Sequence, residues 1–168
     1  DNGNYASEID VRADSELKKT TDLARKKIAV VDRPSVTRYA LAAAELAPEN
    51  VTWVDASSYA ESMRMLAAGS VEAVVVFSGA SKEDRTIRTL SVTSSVPNEP
   101  IFVRASLPIA LRQKIERGLQ SLNQESLQKL GDLRALEPID DHAYDGVRKT
   151  VARAGLSVAE LAGASTAH

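Results

Sequence analysis

Apolar residues along this chain arrive in short runs, each followed by a polar turn and then by an amphipathic stretch. Ile28-Ala29-Val30-Val31 is apolar at every position, the pattern of a strand buried on both faces. Asp32-Arg33-Pro34-Ser35 then reads as a turn. The Ala-rich residues 36–46 favour a helix that Pro48 stops. Val51-Thr52-Trp53-Val54 is a second short strand, and Asp55-Ala56-Ser57-Ser58 is a loop with capping potential. Beyond it Ala60, Met63, Leu66 and Ala67 fall at helical spacing, with Gly69 placed to close the helix. Residues 71–77 form the most hydrophobic run, and their β-branched content marks a central strand. Strand and helix thus alternate across residues 28–77, which predicts right-handed crossovers and a mainly parallel sheet flanked by helices.

The flanks are less regular. Ile9-Asp10-Val11 begins a short alternating stretch, and residues 14–27 are polar with helix formers. Residues 78–86 read as a charged loop. Residues 87–96 and 101–103 are two further strand candidates, separated by the turn Pro97-Asn98-Glu99-Pro100. After Ser106 the chain becomes helical. Pro108 suits a first turn, and Leu111, Ile115, Leu119 and Leu122 line one face. Asn123 can cap a second short helix that closes at Gly131. Tyr144, Val147, Val151 and Ala154 line another, ended by Gly155. Ser157 and Glu160 fit a capping box for a last turn, and residues 162–168 read as a frayed tail. No internal repeat or low-complexity linker interrupts the chain. The expectation is one three-layer α/β domain over residues 1–168, with a sheet-forming core at 28–107, C-terminal helices at 108–161 and a tail at 162–168.

Composition narrows the function classes. The 168 residues are 43% hydrophobic and 26% charged, enough for one domain with a real core. Aromatics are only 4%, so that core is built from Ala, Val, Leu and Ile. With 21 basic against 23 acidic residues the net charge is -2, which gives no nucleic-acid footprint. Arg25-Lys26-Lys27 reads as a solvated helix end. The absence of cysteine removes disulfides, thiolate nucleophiles and thiolate-bound zinc. No apolar run reaches the roughly 20 residues of a membrane span. No signal-peptide pattern is present, and the polar start Asp1-Asn2-Gly3-Asn4 suits a processed or truncated N-terminus.

Chemistry is expected at the carboxyl ends of the parallel strands, where open α/β sheets collect ligands. Three loops qualify, at residues 32–37, 55–59 and 78–86. Ser35 and Thr37 fall at the start of a helix, where amides are unpaired and the dipole is positive, so two hydroxyls there can seat an oxyanion. The same residues can simply cap the helix, and the spacing by itself favours that role. Ser57, Ser58 and Tyr59 repeat the choice in the second loop. The third offers Ser78 and the solvated cluster Lys82-Glu83-Asp84-Arg85. Catalytic signals are poor. Asp140, Asp141 and His142 are adjacent, and neighbouring residues seldom converge on one ion, so a polar helix start is the simpler reading and no metal site is assigned. Nucleophile-elbow, phosphate-loop, zinc-protease and dinucleotide motifs are lacking.

The order of features resembles a known family. Tyr5-Ala6-Ser7-Glu8-Ile9-Asp10-Val11-Arg12-Ala13-Asp14-Ser15, then Thr21-Asp22-Leu23-Ala24-Arg25-Lys26-Lys27-Ile28-Ala29-Val30-Val31-Asp32, then Pro34-Ser35-Val36-Thr37, is similar to the phosphonate-type periplasmic solute-binding proteins of ABC transporters. Ser58-Tyr59 followed by Leu66-Ala67-Ala68-Gly69-Ser70-Val71-Glu72-Ala73 continues the likeness, as do residues 91–107, Ser106-Leu107-Pro108, and the spacing of Asp141, Tyr144 and Val147. The resemblance spans roughly residues 5–150. It implies a type II periplasmic-binding-protein fold, hinged between two lobes that close on phosphate, phosphonate or a related oxyanion. It also implies that Ser35 and Thr37 donate to the anion, with Tyr59 and its neighbour Ser58 adding polar contacts. The glycine that follows the hydroxyl pair in the family is Arg38 here, a charge that can serve an anion or a bulk that can fill the pocket. The family's histidine is Tyr59 and its aspartate is Glu72. The family's first lobe has no counterpart before Tyr5.

The expected function is therefore extracytoplasmic binding of a small oxyanion, without cofactor, metal or catalysis, through Ser35, Thr37, Arg38, Ser58, Tyr59 and Ser78, in partnership with a membrane transporter. The alternative is a sensory or protein-interaction module that keeps the lobe without the ligand, with a homodimer or a missing first lobe covering its strand ends. An enzyme is the third and weakest reading.

Overall fold

The computed structural model describes residues 4–33, 35–98, 100–131 and 133–157. They divide into two compact units, Asp1–Asn98 with Tyr144–His168, and Glu99–Ala143.

The first unit is built on a five-stranded sheet. Its strands are β2 (Ser7–Arg12), β3 (Lys27–Val30), β4 (Thr52–Asp55), β5 (Ala73–Phe77) and β6 (Ile87–Val92), in the order β4-β3-β5-β2-β6. Strand β3 runs parallel to β4 and β5, while β2 is antiparallel to both of its neighbours. Four strands therefore point one way and β2 alone points back. A two-stranded ribbon, β1 (Asn4–Tyr5) with β7 (Val96–Pro97), joins the points where the chain enters and leaves the sheet.

Strand alternation sends side chains to two cores. On one face Ile9, Val11, Ile28, Val30, Ala73 and Val75 pack with Leu23, Tyr39, Ala42, Ala43 and Leu46, the last three from helix α1 (Leu41–Leu46). Helix α5 (Asp145–Arg153) lies against α1, and Ala154 and Leu156 behind it join this core. On the other face Ala29, Val74 and Val76 pack with Val71 and with Leu66 of helix α2 (Tyr59–Ala67). Helices on both faces make the expected three layers. Each fully buried Val, Leu or Ile side chain here stabilises the fold by about 1.5–3 kcal/mol.

Local chemistry sets the ends of the elements as the sequence implies. Ser58 caps α2, accepting from the Glu61 amide at 3.2 Å, and Gly69 closes it at φ 70°. Gly155 closes α5 at φ 71°. The capping box at Ser157 and Glu160 and the tail at 162–168 reach beyond the described residues.

Three expectations change. Residues 7–12 lie outside the core assigned to 28–107, yet they form the strand between β5 and β6. Residues 36–46 do not open as an α-helix: Val36–Ala40 is a π turn, and α1 follows. Residues 101–103 form no strand, since Ile101 and Phe102 are exposed and find no ladder partner among the described residues.

The second unit contains α3 (Ile109–Gln120) and α4 (Gln124–Lys129). Asn123 caps α4 as its spacing suggests, accepting from Ser126 at 2.9 Å. Among the described residues of this unit Leu127 is the one buried hydrophobic side chain, and α3 buries none.

Candidate functional site

Strands β3, β4 and β5 are parallel, so the loops that follow them leave the same edge of the sheet. These loops carry all six residues singled out from the sequence.

After β3, Asp32 takes a left-handed conformation at φ 61°, which aspartate tolerates better than most residues. The turn is held by the Ser35 amide, which donates to the Asp32 carbonyl at 2.9 Å. The Ser35 carbonyl then accepts from Tyr39 at 3.1 Å and from Ala40 at 3.3 Å. The longer loop to Ala40 is what makes the first turn a π turn. Such turns are rare and concentrate at functional sites, and the leading amides of a helix lack intrahelical partners. Ser35 is half-buried at this point. Thr37 and Arg38 belong to the same turn, but their side chains, like Pro34, lie outside the described part of the structure.

One neighbour was not legible from the motifs. The Arg33 guanidinium donates from Nε to Asp55 at 2.5 Å and from Nη2 to the Trp53 carbonyl at 3.3 Å. Its Cζ sits 5.4 Å from the Tyr39 ring centroid, and Tyr39 meets Trp53 edge-on at 5.1 Å. The hydrogen bond to Asp55 holds Arg33 still more firmly in its charged form. This cluster ties the β3 turn to the end of β4 and to the π turn. The available signal was register: parallel pairing sets Asp55 beside Val30, three residues before Arg33.

After β4, Ser57 donates to the Glu61 carboxylate through its amide, at 2.6 Å, and through its hydroxyl. These bonds hold the Glu61 carboxyl below the usual carboxylate range. Ser57 and Ser58 thus both bond to Glu61 in the first turn of α2. Tyr59, 40% exposed, reaches across to the next loop, its hydroxyl 3.4 Å from Ser81 Oγ and 3.5 Å from the Ala80 carbonyl. After β5, Ser78 donates to Glu8 at 2.8 Å and its amide to Ala6 at 3.1 Å. The second and third loops therefore meet through Tyr59. The first is joined to the second through Arg33 and Asp55.

Ser58 and Ser78 thus have protein partners, while Ser35 anchors the turn. The carboxylates of the rim are also engaged, Asp55 by Arg33, Glu61 by Ser57 and Glu8 by Ser78. Among the described residues no group of three or more His, Cys, Asp or Glu is placed to hold a metal ion. The Asp140 carboxylate instead accepts from the His142 amide at 2.8 Å, the helix-start role the sequence favours.

A mixed, mostly parallel sheet with helices on both faces is the architecture of type II periplasmic binding proteins. A family model described as ABC transporter, phosphonate, periplasmic substrate-binding protein matches residues 2–144, and the chain belongs to this family. Three solved structures share its fold at low identity. XAC2383 from Xanthomonas citri, solved bound to ATP, superposes with a TM-score of 0.77 at 15% identity, over 90% of this chain and 66% of that one. A binding protein component of an ABC phosphonate transporter from Pseudomonas aeruginosa, PA3383, gives 0.66 at 18% identity, over 98% and 65%. An ancestral arginine-binding protein bound to arginine gives 0.51 at 20% identity, over 87% and 59%. The chain thus spans about two thirds of the two bacterial proteins. No curated protein sequence matches it. No described helix is long and apolar enough to cross a membrane.

Proposed function

We propose that this chain forms the part of an extracytoplasmic binding protein that seats a small oxyanion, of the phosphate or phosphonate class, for a membrane ABC transporter. The observation that carries the reading is the β3 turn: in a member of the phosphonate-binding family, Ser35 stands at the mouth of a widened helical turn that also contains Thr37 and Arg38. Hydroxyl and amide donors would hold the anion oxygens, and the Arg38 charge would complement them. Tyr59, with Ser58 and Ser78 beside it, would close the polar rim from the neighbouring loops. No catalysis is required of any of these groups.

Calorimetric titration with inorganic phosphate, methylphosphonate and sulfate tests the proposal. Binding heat with phosphate or methylphosphonate is expected, weakened at least about tenfold by Ser35→Ala, the equivalent of about 1.4 kcal/mol for a lost charge-assisted hydrogen bond. Absence of heat with all three anions in the wild type would sink it.

A second reading has its own support. Ser58 and Ser78 already have protein partners, and Tyr5, Phe77 and Val92 are exposed at the same end of the sheet. A polypeptide partner, a second copy or a sensor component would cover such a rim without a small ligand. Self-association in analytical ultracentrifugation, together with silent anion titrations, is the result that favours it.

A further inference from the structure

Asp10 is the most anomalous residue of the first unit. It is completely buried in β2, and neither carboxylate oxygen has a hydrogen-bond partner of normal geometry. The β2–β6 register shifts between Ile9 and Asp10, which sets Asp10 opposite Thr89. The hydroxyls of Thr89 and of Ser81, in the loop after β5, face the carboxyl. Two residues earlier on the same face of β2, Glu8 accepts from Ser78, the first residue of that loop. Strand β2 therefore touches the 78–86 loop at its root through Glu8 and in its middle through Asp10. Ser81 in turn lies 3.4 Å from the Tyr59 hydroxyl.

We propose that Asp10 is a positioning residue, which sets the seat of the 78–86 loop and, through Ser81, of Tyr59, according to whether its carboxyl carries a proton. The neutral acid can donate its O–H to Ser81 or Thr89 and stay buried. The carboxylate has only those two hydroxyls to draw on and the like charge of Glu8 nearby, so its burial costs more than that of the acid, a cost relieved when the loop lifts to admit solvent.

The surroundings bias the equilibrium toward the neutral form. From β2 itself Glu8 adds a like charge. Across β5 stand Val74 and Val76, and α2 contributes the apolar Met63 and Leu66 to this side of the sheet. Charge of both signs faces the recess of about 350 Å³ under the loop, from Lys82, Asp84 and Arg85 on the loop and Arg88 on β6. Arg88 is engaged elsewhere, on the Ser15 and Leu17 carbonyls. Burial is the main influence and raises the Asp10 carboxyl above the ordinary aspartate range, with the Glu8 charge pushing the same way and the two hydroxyls opposing.

The inference about Tyr59 rests on the oxyanion reading, but the loop movement does not. Hydrogen exchange of the full chain from about pH 4 to about pH 8, corrected for intrinsic rates, reads the loop directly. Protection of residues 78–86 is expected to fall with rising pH. The fall is up to about tenfold per pH unit between the closed-state and open-state titrations. Asp10→Asn should hold that protection across the range. In Ser81→Ala, the Tyr59 ring resonances should stop following pH while the loop still does. A wild-type loop whose protection is flat with pH, or an Asp10→Asn profile identical to wild type, overturns the proposal. So does a Tyr59 signal that tracks pH unchanged in Ser81→Ala. Methylphosphonate titrations run in parallel separate the two ideas: silence in the wild type ends the oxyanion reading and leaves the loop result standing.

Discussion

Helices α2 and α3 carry comparable amphipathic patterns, yet α2 buries Leu66 and Ser62 completely while α3 buries nothing. The difference lies in what surrounds each helix. Helix α2 lies on a sheet whose strands present Ala29, Val74 and Val76, and its apolar stripe finds a surface of matching chemistry. In the second unit Ile109 and Leu111 stay exposed, as do Leu130 and Ile139. Periodicity in a sequence thus reports that a face exists, and says nothing of whether the same stretch of chain supplies its cover. Stability should therefore be concentrated in the first unit.

The largest test of this contrast is a pair of truncations. Leu66→Ala is expected to cost about 2–5 kcal/mol in denaturant unfolding, as a cavity in a packed core. Ile115→Ala, on the half-buried face of α3, should cost about 1 kcal/mol or less. Equal losses would mean that both helices are packed alike.

Smaller effects should appear in the pH dependence, and they carry opposite signs within the first unit. The folded-state pKa of Asp10 is raised by burial, so stability is highest while the acid is neutral and declines as pH rises from the unfolded value through the folded one. Asp10→Asn should therefore be more stable than wild type at neutral pH, with the advantage gone in acid. Glu61 and Asp84 behave conversely, because hydrogen bonds from Ser57 and from Thr86 lower their folded pKa values. Their contribution is complete above the unfolded pKa and is lost as pH falls through the folded one. Melting curves of Asp10→Asn and Glu61→Gln should both meet wild type in acid and part from it towards neutral pH in opposite directions, Asp10→Asn above and Glu61→Gln below; curves parallel to wild type across pH would refute the assignments.

The smallest effects concern the caps. Ser58→Ala and Asn123→Ala remove the same kind of bond, worth about 1 kcal/mol. At Ser58 the loss should move the main unfolding transition, because α2 belongs to the cooperative core. At Asn123 it should lower the far-ultraviolet helix signal and leave that transition in place. If Asn123→Ala shifts the midpoint as much as Ser58→Ala, the two units unfold together.

What the sequence revealed and what it hid divide along similar lines. Ile28, Val30 and the residues 71–77 announce their strands because both faces of a central parallel strand are apolar. Ser58, Gly69 and Asn123 announce helix ends because capping is local chemistry. Strand β2 was harder to see. Its alternation of Ile9 and Val11 with Glu8 and Asp10 reads as a half-buried strand, whereas Asp10 is itself buried, between β5 and β6, an outcome no hydropathy pattern signals. The Arg33–Asp55 pair depends on strand register, which is a property of two segments together. The π turn depends on the Ser35 carbonyl accepting from Ala40 as well as from Tyr39, a backbone detail that no residue pattern signals. The three strand-end loops were found by a topological rule. Their linkage through Tyr59 and Arg33 depends on side-chain reach between segments far apart in sequence.

The Tyr144 hydroxyl donates to the Asn98 carbonyl at 2.8 Å, at the two residues where the chain leaves the first unit and returns to it. Residues 99–143 are therefore an excursion that starts and finishes at one spot. For protein engineering this makes the excursion a cassette: a short linker from Asn98 to Tyr144 could replace it, or a reporter domain could be spliced in its place, without stretching the backbone of the sheet. Natural variation would find the same freedom there, since residues exchanged within the excursion leave the hydrogen-bond ladders of the five strands untouched.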